Sequence, residues 1–253
     1  MEFGNRSNPG PAESPVARFG TTVWSKILRA AAPDDPDAKP ALAALCQAYW
    51  YPLYAYVRRR GSRSAEAEDS VQSFFAWLLE KNILQYADPE RGRFRGFLVA
   101  AFRQFLARRH EYESAAKRKP PEAIVSIDVE VGAERFAREM TETATPELMY
   151  EYAWAVAVLR RAIDRIREEY EADGRGDRFQ AFEGVLTGQS ALTSREMGTM
   201  LGLSEGAVRV AIHRFRQQVR DRVRDEVAAT VENEADVDDE LRNLHATLKK
   251  GGA

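Results

Sequence analysis

Apolar residues recur at three- and four-residue intervals along most of this chain, and that period leaves little room for anything but helix. Leu42, Leu45, Tyr49, Leu53, Tyr56 and Val57 make one stripe, and Val71, Phe74, Phe75, Leu78 and Leu79 a second. Val208, Ile212, Phe215, Val219, Val223, Val227 and Val231 make a third. The punctuation between stripes is helical too. Arg58, Arg59 and Arg60 ahead of Gly61 read as a basic last turn and a stop. Ser64 followed by Glu66, Glu68 and Asp69 reads as a cap with an acidic first turn. Pro52 predicts a kink or break in the first stripe. Asp88-Pro89 signals a start that leads, after Gly92, into a helix over 94–116. Thr145-Pro146 restarts helix to about Ala172, and a shorter helix spans 177–186. Thr193 and Glu196 form a capping box for a helix ending at Leu201-Gly202, and Ser204 caps the last long one. Only Ile127, Val129 and Val131, alternating with Asp128 and Glu130, suggest extended chain. The expected fold class is all-α.

Composition narrows the chemistry. With 253 residues, 44% of them hydrophobic, the chain can build one large domain or two small ones. Cys46 is the single cysteine, which excludes an internal disulfide framework and a cysteine-based metal site. His110, His213 and His245 are too widely spaced for a local metal motif, so neither metal nor cofactor is expected. No apolar run approaches the ~18–20 residues that span a bilayer, and Met1 to Phe19 carries no readable signal peptide. The expectation is a soluble, reduced, cytoplasmic protein without membrane insertion.

The formal net charge of −2 conceals strong local bias. Residues 91–119 hold nine basic and two acidic groups, a net of +7, interleaved with Phe94, Phe97, Phe102, Phe105 and Tyr112. Basic groups that follow phosphates and aromatics that stack on bases make a single-strand binding recipe, although most of these phenylalanines read better as a core face. Residues 194–224 hold seven arginines against three acids, a net of +4. Between the two blocks, residues 120–159 carry eight acidic and two basic groups, a net of −6. The organisation expected is therefore a disordered tail over 1–20, a helical module over 21–119, an acidic flexible linker over 120–144, a second module over 145–231, and an acidic tail over 232–253.

The second module has the helix, short glycine turn and helix of a helix-turn-helix. Arg209, His213, Arg216 and Arg220 project away from the Val208/Ile212/Phe215/Val219 stripe, with Arg214 on the flank. A basic front on an apolar back suits entry into a major groove. A stand-alone regulator of duplex DNA fits this half, but it leaves the basic block at 91–119 without a task. A nuclease would need clustered carboxylates or histidines, and the acids here sit mostly in first turns and two acidic segments. A helical scaffold would explain the periodicity and neither basic block.

Four motifs in order extend the reading: "YWYPLYAYVRRRG" at 49–61, "AEDSVQSFFAWLLEK" at 67–81, "ADPERGRFRGFL" at 87–98 and "LGLSEGAVRVAIHRFRQQVRD" at 201–221. Together they make the span from Thr22 to Leu248 resemble the extracytoplasmic-function type sigma factors of bacterial RNA polymerase, within the sigma-70 family. The resemblance implies a non-enzyme that binds core RNA polymerase, at its β′ clamp and β flap, and directs promoter recognition, DNA melting and initiation. It implies clamp docking through Asp69, Gln72 and Phe75, expected on one exposed helical side. It implies reading of the −10 element by Arg95, Arg103, Arg108 and Arg109, and of the −35 element by Glu205, Arg209, Val210, His213 and Arg214. It also implies a connector threaded along the polymerase's RNA path, and it leaves room for an anti-sigma factor or another regulator as a partner. The chain departs from common family patterns at Gln104, Arg108, Val210 and Ala211, which bears on the promoter sequence rather than on the class.

Overall fold

The structure is a computed structural model and describes residues 36–88, 92–116, 129–139, 144–186, 192–231 and 234–251. The tail expected to be disordered, 1–20, lies outside the described residues, as do 117–128 and 140–143 of the basic block and connector. Nine α-helices are described: α1 Ala38–Arg59, α2 Ser64–Glu80, α3 Phe94–Ala116, α4 Val129–Glu139, α5 Pro146–Ala172, α6 Gly176–Leu186, α7 Ser194–Leu201, α8 Glu205–Ala228 and α9 Val237–Gly251. Two single turns of 3₁₀-helix, Ile83–Tyr86 and Glu234–Asp236, join them, and no strand occurs among the described residues. The expected all-α class is observed.

The larger core gathers α1, α2, α3, the first half of α5, the end of α8 and α9. Tyr49, Leu53 and Tyr54 of α1 and Phe74 and Leu78 of α2 are buried in it, with Phe94, Phe102 and Phe105 of α3 and Tyr150 and Trp154 of α5. The phenylalanines of the basic block are thus core residues, Phe102 lying 4.7 Å from the Phe74 ring centre. Burying one such side chain contributes on the order of 1.5–3 kcal/mol, and this density explains why α1 continues through Pro52. The expected break is not seen: Pro52 is itself buried, and its neighbours Tyr51, Leu53 and Tyr54 hold the helix on both sides.

A smaller core sits at the far end of α5. There Ile166 and Tyr170 meet Phe179 and Phe182 of α6 and Phe215 of α8. Helix α5 therefore belongs to both cores. Thr145 starts it as expected, its hydroxyl accepting the Leu148 amide at 3.1 Å with Pro146 in the first turn. The boundary expected before 145 does not separate two bodies, because the first half of α5 packs on α1 and completes the N-terminal core.

Two further expectations are corrected. Where Val129 and Val131 alternate with acids, the chain is the start of α4 and not extended. A helical period also serves these residues, since Gly132 and Phe136 fall on one side. Phe136 is buried, Gly132 fits against the Trp50 ring, and the Arg135 guanidinium lies 3.5 Å over Tyr51. This part of the acidic linker is folded against α1 and α2 and is no tether. The segment 232–253, expected as an acidic tail, contains α9, which packs Val237, Leu241, Leu244 and Leu248 on the larger core. Gly251 lies so close to the Tyr152 ring that a β-carbon there would overlap it.

Candidate nucleic-acid interface

The helix-turn-helix is assembled by local rules. The Thr193 hydroxyl accepts the Glu196 amide at 3.3 Å, and the Glu196 carboxylate accepts the Thr193 amide at 2.7 Å. These bonds hold the Glu196 carboxyl below its usual pKa, the backbone amide of Thr193 being the main cause. Helix α7 ends at Gly202, whose φ of 66° suits a residue without a β-carbon. The chain turns back so that the Leu203 amide donates to the Gly198 carbonyl at 2.8 Å. A β-carbon at Gly198 would stand 2.6 Å from the Leu203 carbonyl oxygen, so this position sets how tightly the turn closes. The Ser204 hydroxyl then accepts the Ala207 amide at 3.2 Å and launches α8.

Helix α8 is fixed by its apolar back. Val208 and Phe215 are buried, and Phe215 meets Tyr170, Phe179 and Phe182 at ring-centre distances of 5.8, 5.9 and 5.7 Å. Further along, Glu226 pairs with Arg161 at 2.9 Å and Arg165 at 3.0 Å, pinning α8 to α5. All five residues expected at the upstream element, Glu205, Arg209, Val210, His213 and Arg214, are exposed on the first half of α8. Val210 is 52% exposed, high for an apolar side chain. Arg209 pairs with Glu205 one turn before it, whereas Arg214 and Arg216 face solvent.

The basic helix α3 is arranged differently. Arg103 and Arg108 are exposed. Arg109 reaches across to α2, donating to Asp69 at 2.8 Å and to the Ser70 hydroxyl, so a residue assigned to DNA and one assigned to the polymerase share an ion pair. On α2, Asp69 is exposed and Gln72 half-buried, but Phe75 is only 2% exposed. The expectation that these three share one exposed side is corrected: a step of six residues turns a side chain well away from the first, and here it turns Phe75 into the core.

Arg95 is buried as well, 7% exposed. Its guanidinium lies 4.3 Å over the Trp154 ring, pairs with Glu151 of α5 at 2.7 Å, and pairs also with Glu240 of α9. Glu240 is completely buried and contacts Arg93 at 2.9 Å as well. The Tyr150 hydroxyl donates to the Arg95 carbonyl at 3.0 Å. Burial, followed by repulsion from Arg95, lowers the pKa of Arg93. In this conformation Arg95 faces two carboxylates and not solvent. Arg93, Glu151, Trp154 and Glu240 are not legible as a cluster from sequence, since they come from the residue before α3, from α5 and from α9. The pattern of Val237, Leu241, Leu244 and Leu248 with Glu240 inside the stripe was the available signal.

Among the described residues no group of histidine, cysteine or acidic side chains is placed to hold a metal ion, and no helix is long and apolar enough to cross a membrane. The features that remain are an all-helical body, a helix-turn-helix with an open basic face and a second basic helix in the larger core. These are features of a DNA-binding transcription protein. A curated relative, "ECF RNA polymerase sigma factor SigE" of Mycolicibacterium smegmatis, is 26% identical over 215 residues, covering 83% of this chain and 69% of the relative. It supports the chain as an extracytoplasmic-function member of the sigma-70 family. No family model matches the chain. No solved structure matches it.

Proposed function

We propose that the chain is a promoter-specificity subunit that joins core RNA polymerase and directs it to a two-part promoter. The sigma-factor relative supports a role in transcription initiation, with core RNA polymerase and promoter DNA as partners. Sigma factors are generally non-enzymatic regulators, and the chain acts as one in this reading. The observation that carries it furthest is the first half of α8, where Glu205, Arg209, Val210, His213 and Arg214 stand exposed on a helix whose opposite side is locked by Phe215.

Arginine on such a helix bonds guanine edges or phosphates, and an exposed valine suits a thymine methyl. Helix α8 with its α7 partner reads the upstream duplex, and the surrounding α5–α8 body offers the β flap contact. Arg103 and Arg108 on α3 engage the −10 element directly. Arg109 engages it after giving up Asp69, and Arg95 after giving up Glu240 while keeping Glu151. Asp69 and Gln72 dock on the β′ clamp, with Phe75 holding α2 in place from beneath. An anti-sigma factor would act on these same faces.

The test mixes the purified chain with core polymerase and a genomic template library and sequences the transcripts. Specific start sites that disappear when Arg209 and Arg214 are both changed to Ala are the expected result. Nanomolar, sequence-specific duplex binding without polymerase, together with no specific transcripts, would replace this reading with a stand-alone regulator.

A further inference from the structure

The fully buried Glu240 makes no contact with DNA or polymerase in the function just proposed. An ionised side chain is costly to bury unless paired, and among the described residues Glu240 pairs with Arg93 and Arg95 at the start of α3. Neither of its carboxylate oxygens makes a well-directed hydrogen bond, so charge is the chief attraction there. It arrives on α9, held by Val237, Leu241, Leu244 and Leu248 on the larger core and by the Arg224–Asp238 pair on α8. Two guanidiniums, converging on one carboxylate at the head of a helix, are also what a nucleic-acid phosphate requires.

We propose that α9 is an intramolecular stand-in for nucleic acid: Glu240 occupies an anion site formed by Arg93 and Arg95, and a backbone phosphate of the opened promoter strand takes that site when α9 is displaced. The proposal rests on the promoter-specificity reading above and adds its control. Three observations distinguish the site from an ordinary surface pair. Arg95 is also held by Glu151 at 2.7 Å and lies 4.3 Å over Trp154, both on α5, so part of the site is built without α9. Arg93 is the exchangeable member, 37% exposed and already facing outward at its rim. When α9 and the turn before it move away, Glu240, Asp239 and Asp236 leave together and two arginines remain against Glu151, an excess of positive charge at the place where an anion would bind. In the closed form the competent site is occupied from within, and the apparent affinity falls by the fraction of molecules that are open.

The experiment uses the full chain and a labelled single-stranded DNA of the −10 region. Glu240→Gln keeps the side chain's shape and removes its charge. Binding measured by fluorescence anisotropy at low salt is expected to tighten by about tenfold, as for a chain otherwise about 10% open. Adding Arg93→Gln to the same variant is expected to remove the gain. The unaltered chain supplies a second measurement that does not depend on any variant folding: hydrogen exchange of residues 237–251 in the complex with core polymerase and promoter DNA. Loss of protection there, with α5 still protected, is the expected result. Unchanged DNA affinity in Glu240→Gln together with a fully protected α9 in the complex would overturn the proposal and make Glu240 a purely structural residue. That outcome is distinct from failure of the underlying reading, in which the unaltered chain gives no specific transcripts with core polymerase.

Discussion

Helices α3 and α8 are both arginine-rich, yet they use the charge in opposite ways. On α8 the basic residues lie across from a stripe buried in an aromatic cluster, so Arg214 and Arg216 are held outward. On α3 the first arginine, Arg95, lies on the buried side, and α5 and α9 bring carboxylates to meet it. The number of arginines in a segment therefore says little about what it presents. The side of the helix on which each one falls, and what packs there, decides between an open binding face and an internal ion cluster.

The comparison is tested most strongly by making the same change in both helices. Arg95→Ala leaves the buried Glu240 with Arg93 alone and takes the paired guanidinium from Glu151, and urea unfolding should show a loss of about 3–5 kcal/mol. Arg214→Ala should change the same measurement by less than about 0.5 kcal/mol while weakening duplex binding. Equal effects would erase the distinction drawn here. A second change acts on the support of the open face: Phe215→Ala empties the centre of the smaller core and should cost about 3–5 kcal/mol, with near-ultraviolet circular dichroism reporting the lost aromatic packing. Thr193→Ala removes the cap of α7 and should cost about 1 kcal/mol in the same denaturation experiment. The smallest effect concerns pH. The Glu196 carboxyl is held below the usual value of 4.5, so its stabilising effect is present at neutral pH and is lost as pH falls through the lowered value. Thermal melts below about pH 4 should therefore show a slightly smaller acid-induced decline in Glu196→Gln than in the unaltered chain.

Much of the fold was legible because it obeys local rules. Thr145, Thr193, Gly202 and Ser204 mark helix ends where the capping chemistry says they should. The cap of α2 was misplaced by one residue: Glu66 accepts the Arg63 amide at 3.1 Å, and Ser64 instead hydrogen-bonds the Tyr54 hydroxyl at 2.7 Å. The open face of α8 was also legible, since a single helix contains both the buried stripe and the arginines opposite it. Long-range placement was not. Nothing near Arg95 in sequence indicates that Glu151 and Glu240 converge on it, whereas the inward turn of Phe75 follows from its place in the stripe with Val71, Phe74 and Leu78. The acidic content of 232–253 likewise obscured the apolar stripe of α9, because composition averages over faces that packing separates.

The path of α5 has a consequence for dissecting the protein. Met149, Tyr150 and Trp154 roof the N-terminal core, while Ile166 and Tyr170 anchor the C-terminal one, on a single helix of 27 residues. Scission of the chain ahead of Pro146, where two autonomous pieces would ordinarily be sought, strips that roof from α1. An N-terminal fragment ending there would bare Tyr49 and Tyr56 to water and self-associate, whereas a fragment carried through Ala172 would keep that roof and expose the surfaces that α6, α8 and α9 cover in the whole chain.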